Sequence, residues 1–182
     1  MMKSLEAEFL ASGDLFSLHG PVEETVRIMS ELERLEYFRN ASCVLAYMSM
    51  PGEVRTSDYL ARWRATGKRV VLPKVTGETL ELREYDPAAL VPGYRGIMEP
   101  SESAALVEPS EIGLAVVPGV AFSFQKGPDG VERFYRLGRG GGFYDRLLPM
   151  LACPLVGVCY PFRFVDSLPL DDWDMPLDLV VR

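Results

Sequence analysis

Short apolar runs alternate with amphipathic stretches along this chain, a pattern that predicts helices layered on a sheet. Over residues 21–38, Val26, Met29, Leu32, Leu35 and Phe38 recur at every third position and define one face of a helix. A second helix is expected over residues 57–65, with Thr56 or Ser57 as its cap and Gly67 at its end. Residues 43–48, 114–117 and 155–160 are runs without a charged side chain, as in strands covered on both faces, and residues 69–72 (RVVL) read as a further strand that Pro73 is expected to stop. Residues 79–85 alternate instead: Leu80, Leu82 and Glu84 oppose Glu81, Arg83 and Tyr85, which predicts an antiparallel or edge strand. Residues 177–181 predict a short last strand. Residues 87–109 read as irregular, 119–137 as a long loop and 142–151 as a helix. The sum is an α/β chain with three layers: a mostly parallel, mixed sheet with helices on both faces, Rossmann-like, in one domain over residues 1–182. In such sheets ligands bind beyond the carboxyl ends of the strands.

Composition narrows the function classes. A length of 182 residues suits one sizeable core. A net charge of −7 argues against general nucleic-acid binding, which needs a basic face. No run is long and apolar enough for a membrane span, and Glu6 and Glu8 stand where a signal peptide would be basic and then apolar. The expected location is the cytoplasm, and the expected state a monomer or small homo-oligomer. Cys43, Cys153 and Cys159 lack metal-ligand spacing and read as buried, reduced thiols. His19, the only histidine, has no nucleophile beside it, which leaves little support for a zinc site or a Ser-His-Asp mechanism. Trp63 and Trp173 read as packing residues.

The chemistry concentrates at residues 136–146, RLGRGGGFYDR. Gly138, Gly140, Gly141 and Gly142 allow positive φ and close approach of a ligand, and successive amides in such a turn can converge on one anion. The predicted helix adds its N-terminal amides. Arg136, Arg139 and Arg146 supply guanidinium forks matched to phosphate, and Asp145 is placed to ligate Mg²⁺ beside nucleotide phosphates. The segment lacks the GK[ST] ending of a Walker loop, and no strand immediately precedes it as a dinucleotide fingerprint requires. A glycine-rich turn with solvated arginines remains the plain alternative for the glycines alone.

Pro118-Gly-Val-Ala-Phe122 followed by Arg136-Leu-Gly-Arg-Gly-Gly-Gly-Phe-Tyr-Asp145 resembles the signature of the 5-formyltetrahydrofolate cyclo-ligase family. The segments YMSMPGEVRT (47–56), LPKV (72–75), GIMEP (96–100) and DMPLD (174–178) resemble family elements in the same order. The resemblance implies ATP- and Mg²⁺-dependent conversion of 5-formyltetrahydrofolate to 5,10-methenyltetrahydrofolate through a phosphorylated formyl group. It implies ATP contacts from Arg136, Leu137, Gly138, Arg139, Gly140, Gly141, Gly142, Phe143 and Tyr144. The formyl group would border Arg139, Gly140, Gly141, Gly142 and Phe143, the pterin would lie on Met48 and Glu53, and Mg²⁺ would sit between Asp145 and Asp174. The family's N-terminal lysine and arginine fall at Met2 and Glu6 here, with Lys3 the adjacent candidate for ATP. Ser123 and Arg163 replace a common aspartate and glutamine. Two other readings stay open: a protein of this fold that binds nucleotide or folate without turnover, and an ATP-dependent ligase or kinase for another small substrate.

Overall fold

The computed structural model describes residues 20–182; Met2, Lys3, Glu6, Glu8 and His19 lie outside the described residues. The elements, in chain order, are α1 (Val22–Arg34), α2 (Glu36–Asn40), β1 (Cys43–Leu45), α3 (Ser57–Ala65), β2 (Arg69–Thr76), β3 (Thr79–Glu84), β4 (Leu90–Pro92), β5 (Met98–Pro100), β6 (Leu114–Val117), β7 (Ala121–Lys126), β8 (Glu132–Leu137), α4 (Phe143–Leu147), β9 (Leu155–Val158) and β10 (Leu179–Val181). Six strands form one sheet in the order β10-β9-β6-β1-β2-β3. All neighbours in it are parallel except β3, which runs antiparallel to β2 at the edge.

The apolar runs are two-sided, and their period of two assigns each residue to a face. Val44, Val70, Leu72, Leu114, Val116, Val156 and Val158 pack with Ile28, Met29, Leu32, Leu60 and Trp63, under the helices α1 to α3. Cys43, Leu45, Val71, Ala115, Val117 and Leu155 face the other way, onto Phe122, Leu147, Leu148 and Leu177. The α/β fold with a mixed, mostly parallel sheet is therefore as expected. On the second face the short helix α4 shares the cover with loops and with Phe122 of a hairpin.

That hairpin corrects the expected long loop over 119–137. β7 and β8 pair antiparallel from Ala121–Leu137 to Lys126–Glu132, closed by the turn at Gly127 and Gly130. The alternation of AFSFQK and ERFYRL carried the signal, but the polar and charged residues at its turn end, with the exposed Phe124, masked it. Five other boundaries move. The first helix breaks at Leu35, whose extended backbone separates α1 from α2, and Val26 is half-exposed while Ile28 takes its place in the core. The strand expected over 43–48 pairs only to Leu45. Pro73 does not end β2: the Val75 N–H, two residues on, points away from β3 toward Glu99, so the imide of Pro73 falls on a side with no ladder bond to lose. Residues 90–100, expected to be irregular, form the ribbon β4–β5. The last helix is α4, five residues followed by a single 3₁₀ turn containing Pro149.

Thr56 precedes α3 but does not cap it through its side chain; its buried hydroxyl donates to the Tyr47 carbonyl instead. Trp63 is packing, as expected, whereas Trp173 is exposed. The three cysteines are free, with Cys43 and Cys159 buried and Cys153 half-buried. Among the described residues no helix is long and apolar enough to cross a membrane.

Gly157, in the middle of β9, lies under the Phe122 ring: a Cβ there would meet Phe122 Cε1 at 2.6 Å and Leu177 Cδ1 at 3.0 Å. Gly157→Val is expected to cost about 2 kcal/mol through overpacking, read as a lower urea midpoint with an unchanged m-value.

Candidate active site

After β1 the chain continues to β2 and β3 on one side, and β6, β9 and β10 return to the other. The order of strands therefore reverses between β1 and β6, and a crevice opens beyond their carboxyl ends. A cleft of about 950 Å³, open mouth included, occupies this place. Its floor comes from Tyr47 and Met48 after β1, Pro118 and Gly119 after β6, and Leu72, Pro73 and Val75 of β2. One wall is the glycine turn and the first residues of α4. The other is the tip of the β4–β5 ribbon, Tyr94 to Glu99.

The wall after β8 is built around Arg136, whose side chain is only 6% exposed. Its Nη2 donates to Asp145 Oδ1 at 3.0 Å, its Nη1 reaches the Pro118 carbonyl at 3.4 Å, and its guanidinium lies 5.1 Å from the centre of the Tyr144 ring. Nε is buried with no hydrogen-bond partner among the described residues. A buried guanidinium at a cleft wall is a fixed positive charge that attracts an anion. Gly140 and Gly142 take positive φ, 82° and 66°, and Gly142 leads into α4. Because α4 is a single turn, its dipole is weak, and the positive field of this wall comes from side chains and turn amides. Arg146 does not join it: the guanidinium donates to the carbonyls of Glu78 and Gly141, tying the turn to the β2–β3 connection.

Met48 and Glu53 come from the segment after β1. Pro51 and Gly52, the latter at φ 85°, fold the chain back so that the Glu53 N–H reaches the Met50 carbonyl. The Glu53 carboxylate accepts the Met50 N–H at 2.8 Å and faces Arg139, whose Nε is 3.5 Å away and whose Nη2 donates to the Pro51 carbonyl at 3.2 Å. Burial pushes the Glu53 carboxyl above the usual value, against the opposing pull of the Met50 N–H and Arg139. Burial likewise raises the Tyr144 hydroxyl, with Arg136 opposing it.

Of the residues expected from sequence, Met48, Glu53, Arg136, Gly138, Arg139, Gly141, Gly142, Phe143, Tyr144 and Asp145 line the one cleft. The Leu137 side chain instead packs on Ala121 and Leu168, and Gly140 is an exposed hinge of the turn. Asp174 is outside the lining. Its carboxylate accepts the Asp171 N–H at 2.7 Å, and its pKa is raised by burial, with the negative charge of Asp145 adding to the shift. The charge of Asp145 thus reaches Asp174, and no group of three or more acidic, His or Cys side chains suited to a metal occurs among the described residues. Lys3 lies outside those residues. The ribbon tip was not singled out as part of the site. Its only sequence signal was the GIMEP segment. Tyr94 meets Phe143 edge to face at 5.4 Å between centroids. Glu99, 5% exposed, accepts the N–H groups of Val75 and Tyr94 at 3.4 and 3.2 Å and lies 4.0 Å from Lys74.

Comparison with known proteins gives this arrangement a family. A sequence model of the 5-formyltetrahydrofolate cyclo-ligase family matches residues 4–182. The chain is 35% identical over 150 residues to the 5-formyltetrahydrofolate cyclo-ligase of Escherichia coli K12, covering 78% of each chain. It is 34% identical over 152 residues to that of Haemophilus influenzae, covering 79% of this chain and 77% of the other. The 5,10-methenyltetrahydrofolate synthetase of Aquifex aeolicus superposes with a TM-score of 0.83 at 34% identity, over 99% of this chain and 88% of that one. The synthetase of Mycoplasma pneumoniae shares the fold, with a TM-score of 0.70 at 22% identity, over 99% of this chain and 97% of that one. The fold and its cleft are those of an α/β enzyme of the ligase class. The chain belongs to the 5-formyltetrahydrofolate cyclo-ligase family.

A carboxyl with a raised folded-state pKa holds its proton longer in the folded chain than in the unfolded one. Its contribution to stability therefore falls as pH rises from the ordinary value of 4.5 toward the raised one. Urea denaturation of wild type and Glu53→Gln across this window should show the wild type losing stability relative to the variant as pH rises. A difference independent of pH would contradict the assignment.

Proposed function

We propose that this chain uses ATP to convert 5-formyltetrahydrofolate to 5,10-methenyltetrahydrofolate, releasing ADP and phosphate. The observation that carries the reading is the convergence, in one cleft at the sheet's switch point, of the glycine turn with Arg136 and Arg139 and of the Met48–Glu53 segment. The first suits a triphosphate and the second a flat, hydrogen-bonding heterocycle.

In this reading the formyl oxygen attacks the γ-phosphorus and the bond to ADP breaks. The N10 lone pair then adds to the activated carbon, N10 loses its proton, and phosphate leaves with the former formyl oxygen. The protein's part is positioning and charge compensation, which dominate phosphoryl transfer. Amides of residues 138–142 face the phosphates, and Arg136, which lines the cleft, adds its positive charge beneath them. Arg139, steadied by Glu53 and the Pro51 carbonyl, sits between phosphates and formyl group. Glu53 accepts hydrogen bonds from the pterin ring beside Met48, and its burial strengthens them.

Asp145 and Asp174 fit a Mg²⁺ ion completed by phosphate oxygens and water, the usual mode of magnesium at nucleotides. Burial first, and then the negative charge of Asp145, raise the Asp174 carboxyl, a cost that a nearby cation would relieve. The ion would supply neutralisation of the phosphate charge, while Asp145 also holds Arg136 in place. The reading places the reaction in the cytoplasm, on small-molecule substrates, without nucleic acid or membrane partners.

The near-ultraviolet band of methenyltetrahydrofolate should appear with wild-type protein only when ATP and Mg²⁺ are both present. Asp145→Asn should lower kcat on the order of a hundredfold, the typical effect of removing one group that stabilises developing charge. No band with enzyme in excess over 5-formyltetrahydrofolate would overturn the reading.

A further inference from the structure

Three arginines line the cleft: Arg95, Arg136 and Arg139. Arg136 is paired with Asp145 and Arg139 with Glu53. Arg95 has neither an ion pair nor a hydrogen bond among the described residues; its guanidinium rests 5.3 Å from the centre of the Tyr94 ring. Its backbone is also exceptional. At φ 55° and ψ 25°, Arg95 is the only non-glycine residue with positive φ among the described residues, although Gly96 follows it directly. Such conformations cost energy in a residue with a Cβ, and they gather at ligand contacts.

The ribbon that carries Arg95 is held on both sides. Glu99 joins its tip to β2 by accepting from Val75 and Tyr94, with Oε2 packed so closely that a Cβ on Gly93 would lie 2.1 Å from it. Tyr94 abuts Phe143 of α4. The guanidinium is thus presented at the cleft mouth from a fixed support.

We propose that Arg95 is a specificity residue that binds an anionic group of the bound reactants, the glutamyl carboxylate of the folate substrate. This inference rests on the function proposed above, which assigns the triphosphate to the glycine turn and leaves the folate carboxylates without an assigned cation among the described residues. Arg95 is the cleft guanidinium not already matched to a protein carboxylate, and it carries the fork geometry that carboxylates accept.

The test compares Arg95→Gln, Arg95→Lys and Arg95→Gly. The Gln variant should raise KM for 5-formyltetrahydrofolate roughly five- to tenfold, as expected for losing one charge-assisted hydrogen bond near the surface. KM for ATP should change less than twofold, and the Lys variant should recover part of the loss. The Gly variant should lose the same affinity while keeping or raising Tm, because glycine relieves the positive φ. A purely structural arginine would give unchanged folate affinity in that variant. If KM for ATP rises instead, the anion is a phosphate and the carboxylate assignment is overturned. Binding of p-aminobenzoylglutamate, followed by NMR on wild type and Arg95→Gln, decides the matter independently of turnover. Loss of this binding in the variant supports the site even if wild type makes no methenyl product. Equal binding to both proteins, or none to wild type, refutes the proposal.

Discussion

The cleft depends on one buried cation. Arg136 stands at the end of β8, yet its guanidinium reaches the carbonyl that follows β6, the carboxylate in the first turn of α4 and the face of Tyr144. A guanidinium removed from water needs such partners, and meeting that need fixes three pieces of chain relative to one another. The glycine turn lies between them and inherits their positions. The same cation that could face a phosphate therefore also shapes the place where the phosphate would lie.

Around that cation the charges are arranged in opposed pairs. Arg136 faces Asp145, Arg139 faces Glu53, and Lys74 stands near Glu99. The first pair closes the glycine turn on itself, and the other two join segments distant in the chain, so the cleft walls are tied by electrostatics where the sheet itself offers no hydrogen bonds. Partial burial makes these contacts stronger than surface pairs and makes a missing partner costly. Arg146 serves the same architecture through carbonyls: it closes the turn against the β2–β3 connection, apart from the cleft.

The hairpin β7–β8 links the core to the site. Phe122, fully buried, packs on Gly157 and Leu177 beneath the sheet, and its strand partner in the register is Arg136. A residue that fills the core on one strand thus sets the depth of the functional arginine on the other. Core packing and site geometry are therefore coupled through one pair of neighbouring positions.

The sequence alone determined the layering, because apolar runs of period two can be buried only on both faces of a sheet, and the amphipathic helices need a surface to cover. It also determined the glycine turn and the segment around Glu53, since glycines, arginines and a Pro-Gly turn act locally. Only the tertiary structure decided which arginines serve the cleft. Arg146 and Arg139 look alike in the chain, but one is taken up by the carbonyls of Glu78 and Gly141 and does not line the cleft, whereas the other meets a carboxylate within it. The ribbon tip was hidden for the same reason: Tyr94, Arg95 and Glu99 gain their meaning from Phe143 and Val75, and contacts across such sequence distances leave no periodic trace. The hairpin was missed because its turn-side strands are half-exposed and charged, so its pairing is visible only once Phe122 has a core to enter.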